Sequence, residues 1–266
     1  MAIESIKSFF KGKRESGSQQ DVANEKELVG TPHTRGDWEE AERIISSTID
    51  IDLLQKKLRS RLFLEGHPPS SESAIWYLAR LVLELRERVL QYDTILSDDA
   101  SGRLPSLLLR KIINKTRDTS IPVYFLAGGH GLAKRAEQIE AFLKKKKGEL
   151  GKVLLVTEYV FTGLSMTNLT DILKKVGIVF DVASVVVSGT TKYEGNIIYG
   201  NMGGSDAFFY NKTESGVSKY GERDTAEEDL AHPQRHYTED SKEERLVRED
   251  LDIIAQELVK LLDYEA

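Results

Sequence analysis

Residues 153–169, VLLVTEYVFTGLSMTNL, decide how the rest of the chain is read. Four apolar residues give way to a short polar and aromatic stretch, then to Thr162, Gly163 and Ser165, and then to apolar positions at helical spacing through Met166, Leu169, Leu173 and Val176. This pattern predicts a buried strand over Lys152–Thr157, a turn, and a helix over Met166–Val176. A glycine flanked by hydroxyls at a helix start directs backbone N–H groups and side-chain donors toward an anion, and the helix dipole adds to the attraction. Thr162, Gly163 and Ser165 are therefore candidates to cradle a phosphate, and Glu158 just before them can accept hydrogen bonds from sugar hydroxyls.

The same alternation extends to both sides. Buried parallel strands are predicted at Asp93–Ser97, Val123–Ala127 and Asp181–Ser188, with helices at Leu104–Asn114 and Leu132–Leu143 between the earlier ones. Strand and helix in strict alternation predict an α/β fold with a doubly wound parallel sheet. Such sheets bind ligands beyond the carboxyl ends of their strands, which directs attention to the loops after residues 97, 127 and 157.

Upstream, residues 1–35 mix Ser, Gly, Gln and charges and are expected to be a mobile tail. Residues 36–91 form an expected helical extension: apolar positions from Trp38 to Leu62 follow helical spacing with a break near Asp50, and Ser70–Ser73 cap a second helix through Ile75, Leu81 and Val89. Residues 92–266 are the expected α/β domain. Within it, a further strand is predicted near Ala207–Tyr210, residues 213–245 read as a long surface loop, and an amphipathic C-terminal helix uses Leu246, Leu251, Ile254, Ala255, Leu258 and Leu261.

Composition excludes several function classes. The chain has 266 residues and no cysteine, so disulfides, thiolate metal sites and a cysteine nucleophile are absent. No run approaches the ~18 consecutive apolar residues of a membrane-spanning helix, and the first twenty residues lack a secretory apolar core, so a cytoplasmic location is expected. A net charge of −6 disfavours a nucleic-acid surface. The basic run Lys144–Lys147 is read as a solvated helix end. His232 and His236 stand four apart across a proline without supporting ligands, and zinc is rejected. Neither a serine-hydrolase elbow nor a P-loop lysine is present.

Two further loops carry candidate chemistry. After the first strand, Ser101, Gly102 and Arg103 combine a tight turn, backbone N–H groups and a guanidinium suited to bidentate phosphate contact. Asp98 and Asp99 can hold a magnesium ion through water or cap the turn, capping being the plainer reading. After the second strand, three glycines surround His130 at a helix entry and permit close backbone approach to a ligand. Its side chain, with Lys134 and Arg135 behind it, is a secondary candidate, since a lone loop histidine more often faces solvent.

VLLV followed by TEYVFTGLS resembles the phosphoribosyl diphosphate (PRPP) motif of type I phosphoribosyltransferases. In position-by-position comparison, Thr157 and Glu158 occupy the motif's two acidic sites, Phe161, Thr162, Gly163 and Leu164 the phosphate turn, and Ser165 the closing hydroxyl. The resemblance implies a Rossmann-like phosphoribosyltransferase core with an N-terminal helical extension and a C-terminal helix. It implies that the acidic positions hold the ribose 2- and 3-hydroxyls, with Glu158 in the catalytic position, while 161–165 hold the 5-phosphate and Ser101–Arg103 the diphosphate, with Mg²⁺ entering alongside PRPP.

Thr157 replaces one acid, however, and Phe161 stands where a small hydroxyl residue is usual. The family's flexible catalytic hairpin has no counterpart between Asn114 and Lys152. The implied activity is transfer of phosphoribosyl to a nitrogen acceptor, a glycosyltransferase reaction of nucleotide metabolism. The alternatives are a non-catalytic module sensing PRPP or a nucleotide, and a helix-mediated interaction protein with a vestigial site. The expected partners are a small phosphorylated ribose or nucleotide and a second copy of the chain as a homodimer, without membrane or nucleic acid.

Overall fold

The structure is a computed structural model and describes residues 35–64, 71–98, 102–117, 119–126, 132–203 and 242–263. The tail, His130, Asp99, Ser101, the strand expected near Ala207–Tyr210 and the loop at 213–245 with its two histidines all lie outside the described residues, apart from the loop's last residues at 242–245.

Four helices come first: α1 (Arg35–Thr48), α2 (Ile51–Lys57), α3 (Arg61–Leu64) and α4 (Ser71–Leu85). The break near Asp50 has a local cause, because its carboxylate accepts the Leu53 N–H at 2.8 Å and so starts α2 afresh. The alternating unit follows as β1 (Thr94–Asp98), α5 (Arg103–Arg117), β2 (Val123–Leu126), α6 (Leu132–Leu150), β3 (Val153–Val160), α7 (Leu164–Val176), β4 (Phe180–Val187), β5 (Ile198–Met202) and α8 (Lys242–Leu258). The five strands form one parallel sheet in the order β2-β1-β3-β4-β5. The fold is α/β and Rossmann-like, as the alternation predicts.

Three helices and the opposite pair sandwich this sheet. The apolar faces of α4, α5 and α8 share a core with Ile95, Phe125, Leu154 and Val156, whereas α6 and α7 pack on Leu96, Leu126, Val153 and Leu155. Alternate strand residues point to opposite faces, and this assigns each strand position to one side. β1 and β3 are covered on both faces, and β3 accordingly opens with the apolar run Val153–Val156, whereas in β1 only Ile95 and Leu96 are apolar. The helices of residues 36–91 join the first of these cores, with Ile45, Leu54 and Leu81 buried alongside sheet and α8 residues. Arg80 of α4, itself buried, lays its guanidinium over the Trp38 ring of α1 at 3.1 Å from the centroid.

Several elements differ from the sequence expectation, the largest boundary change being in α6, which runs on to Leu150 rather than ending at Leu143. β3 continues through Val160 instead of stopping at Thr157, because Tyr159 and Val160 pair with Val186 and Val187 of β4. A fifth strand lies at Ile198–Met202, upstream of the Ala207–Tyr210 segment where a further strand was expected; it pairs with β4 from Ala183 to Val187. The run Lys144–Lys147 lies within α6: Lys144 pairs with Glu140, Lys146 with Glu149, and Lys147 donates to the Val176 carbonyl at 2.7 Å, at the negative end of α7.

One buried carboxylate ties the lead-in helices to the chain's other end. Asp250 of α8, fully buried, accepts hydrogen bonds from the Arg59 and Ser60 N–H groups and from the Ser60 hydroxyl, the last at 2.6 Å. Removing it strands several buried donors. Asp250→Ala is expected to lower unfolding free energy by about 2–4 kcal/mol in urea or guanidinium titration. A change within about 0.5 kcal/mol, the range of an ordinary surface substitution, would contradict this role.

Candidate functional site

In the strand order found here, the crossover helices from β1 and β3 depart to opposite faces: α5 to the side of α4 and α8, α7 to the side of α6. The carboxyl ends of these two neighbours are the topological switch point, where open α/β sheets bind ligands. Polar residues collect there. Ser97 and Asp98 end β1, Thr157 and Glu158 lie in the last half of β3, and all four are buried.

Strand alternation divides them. Asp98 and Thr157 have the parity of Leu96 and Leu155, and Glu158 that of Val156; past Glu158 the alternation lapses, since Tyr159 packs with the first core and Val160 with Tyr193 and Ile197. The Thr157 hydroxyl donates to Asp98 Oδ2 at 3.3 Å, across the two strands. The structure thus brings Thr157 together with Asp98. Glu158 and Thr157 are 0% exposed, whereas Asp98 keeps 9%.

Gly102 is wedged against this crevice. A Cβ there would stand 2.6 Å from the carbonyl oxygens of both Asp98 and Val156, so only glycine lets α5 begin so close to the β1–β3 junction. Its N–H donates to the Asp98 carbonyl at 2.8 Å. Arg103, the first residue of α5, is 1% exposed, with its guanidinium 5.5 Å from the Phe125 ring centroid. It is built into the protein beneath the sheet's carboxyl edge rather than extended into solvent.

The turn Phe161–Gly163 is the open part of the site. Phe161 is 56% and Leu164 67% exposed, Thr162 is exposed and Ser165 half-buried. Gly163 caps α7 with φ 81, a left-handed conformation that lets the chain reverse directly into the helix. Thr162 Oγ1 accepts from the Leu164 N–H at 3.4 Å, and the Thr167 hydroxyl and N–H both return to the Gly163 carbonyl. The first N–H groups of α7 lack partners within the helix, as at any helix start. Phe161 stacks on Tyr159, ring centroids 6.0 Å apart.

The sequence reading missed the brace behind this turn. In the β4–β5 connection, the Lys192 N–H donates to the Thr162 carbonyl at 3.2 Å, and Tyr193 lies directly against Gly163. Burial pushes the Tyr193 phenol above its ordinary range, so it stays a neutral packing group. Nothing in the local sequence announces this contact, which joins residues about thirty apart. Among the described residues no group of three or more His, Asp or Glu side chains is placed to hold a metal ion, and no helix is long and apolar enough to cross a membrane.

No protein-family model matches the chain, and no curated protein matches it. Among solved structures, the purine phosphoribosyltransferase from Pyrococcus horikoshii Ot3 is similar at 21% identity and a TM-score of 0.31, over 47% of this chain and 76% of that one.

Position 163 admits a direct check. A Cβ there would meet Tyr193 Cβ at 2.6 Å, on a backbone that side chains rarely adopt. Gly163→Ala is expected to reduce stability by about 1–3 kcal/mol in chemical denaturation and to loosen the turn. Wild-type stability would show that the brace is not as tight as drawn.

Proposed function

We propose that the chain binds a phosphorylated ribose at the carboxyl edge of β1 and β3, with PRPP as the leading ligand. The observation that carries this reading is the exposed, glycine-capped turn Phe161–Gly163 opening α7 at the switch point of the sheet, beside a buried carboxylate and hydroxyl. The 5-phosphate would take N–H groups from the first turn of α7 and the hydroxyls of Thr162 and Ser165. The resemblance of residues 153–165 to the PRPP motif supports the same ligand. Gly102 and the start of α5 would approach the diphosphate. The described residues alone build no resident metal cage, and Mg²⁺ would arrive on the diphosphate oxygens, keeping several waters.

Binding without rapid transfer is the version the geometry favours. An oxocarbenium-like state is stabilised by charge held close to it, usually the largest catalytic term. Thr157 carries none, and the Glu158 carboxylate is 0% exposed. A sensing module therefore fits better than a fast salvage enzyme, and transfer to a nitrogen acceptor stands as the second reading, supported by the retained carboxylate at 158.

Calorimetric titration with PRPP and Mg²⁺, followed by assay of diphosphate release with a panel of nucleobases, tests both. Binding without release supports the sensor, and binding with release the transferase. The absence of binding would overturn the proposal. Ser165→Ala is expected to weaken PRPP about tenfold, the scale of one hydrogen bond to a charged group; unchanged affinity would remove the turn from the site.

A further inference from the structure

Resting on the reading of the α7 start as a phosphate cradle, we infer that Tyr193 is a positioning residue for that cradle. The β4–β5 connection, residues 188–197, holds the cradle in its anion-binding shape, and a bound phosphate tightens the connection. The cradle has little to hold itself. Its side chains at Phe161, Thr162 and Leu164 are exposed, and Gly163, in a left-handed conformation, has no side chain to anchor it. The hydrogen bond inside the turn, from the Leu164 N–H to Thr162 Oγ1, is long at 3.4 Å. N–H groups select an anion only when their directions are fixed, so support has to come from outside the turn.

The connection supplies it at successive levels. Where β3 ends, the Ser188 N–H donates to the Val160 carbonyl at 2.8 Å. At the turn, the Lys192 N–H donates to the Thr162 carbonyl at 3.2 Å, and Tyr193 Cβ and N stand 2.6 and 2.8 Å from where a side chain on Gly163 would begin. Further along α7, the Tyr193 phenol lies beside Thr170, itself buried. One tyrosine thus meets α7 at its cap and again about two turns on, tying the helix axis to the turn. The ring is also held from behind. Tyr193 and Ile197 pack together against the α6–α7 core and the small cluster of Val160, Val187 and Tyr199, and a side chain on Gly195 would run into the ring. The Tyr193 N–H donates to Thr191 Oγ1 at 3.3 Å, and the Ser188 and Thr190 hydroxyls share a bond at 2.9 Å. The connection is a strap with its own internal bonds. Coupling of binding free energies is reciprocal, so a strap that raises the affinity of the cradle for phosphate is itself stabilised when phosphate binds.

Calorimetric titration with ribose 5-phosphate, joined to amide hydrogen exchange read by mass spectrometry on the peptide covering residues 188–197, tests this. In wild type, saturating sugar phosphate is expected to slow exchange across that peptide. Tyr193→Phe keeps the ring and is expected to bind within about twofold of wild type. Tyr193→Ala, and Gly195→Ala through its collision with the ring, are expected to weaken binding about tenfold and to lose the slowing. Asp250→Ala, destabilised at the α8 anchor, is the control for a general loss of stability and is expected to bind as wild type does. Unchanged affinity in Tyr193→Ala or Gly195→Ala, no slowing of exchange in wild type that binds, or an equal loss of affinity in Asp250→Ala overturns the role of Tyr193 and leaves the cradle standing. Failure of wild type to bind ribose 5-phosphate at millimolar concentration overturns both.

Discussion

Everything at the carboxyl edge depends on the adjacency of β1 and β3, two strands buried on both faces whose following helices leave to opposite sides. Apart from Thr94, the first residues of both strands are apolar, as a sheet sandwiched by helices requires. The other polar side chains of these strands enter near their ends, where the following helices part. Burying polar side chains is costly unless they are hydrogen-bonded, and four of them, Ser97, Asp98, Thr157 and Glu158, are buried within this one junction. The same adjacency explains Gly102: a helix that must start directly above two strand ends cannot tolerate a side chain at its threshold.

The sheet was largely legible because parallel strands covered on both sides must be apolar runs, and VLLV, VYFL and ASVVV are such runs. The end of β3 was not. Tyr159 and Val160 favour strand on propensity alone, but the glycine and hydroxyls behind them have a strong turn signature, and only pairing with Val186 and Val187 shows that the strand outlasts it. β5 was hidden for a related reason: Ile198–Met202 contains Gly200 and Asn201, residues depleted in strands, and its strand character comes from lying beside β4.

The site was legible where its chemistry is local and illegible where it crosses the fold. Thr162, Gly163 and Ser165 are neighbours in sequence, and their turn lies where their spacing indicates. Arg103, by contrast, reads as a guanidinium offered to a ligand, yet its side chain is enclosed beside Phe125. Exposure is a property of the assembled layers, not of a tripeptide. The Asp98–Thr157 bond joins residues 59 positions apart, and the Tyr193 brace joins residues about thirty apart. No local pattern encodes either.

That distinction bears on what Thr157 means. Read along β3 alone, the threonine is a missing charge, and a site lacking it looks impaired. Read across the sheet, a carboxylate stands one strand away with its oxygen on the threonine hydroxyl. Neighbouring strands are about 4.8 Å apart, so a charge moved from β3 to β1 shifts by roughly the width of a sugar ring. Such a shift can preserve recognition of hydroxyls while changing which carbon the charge faces. Recognition tolerates that change, because a diol can tilt to meet its acceptor. Stabilisation of a developing cation at one carbon does not, since preorganised charge acts where it is held. On the proposed reading, threonine at 157 would separate these two properties and favour a protein that holds its ligand over one that consumes it.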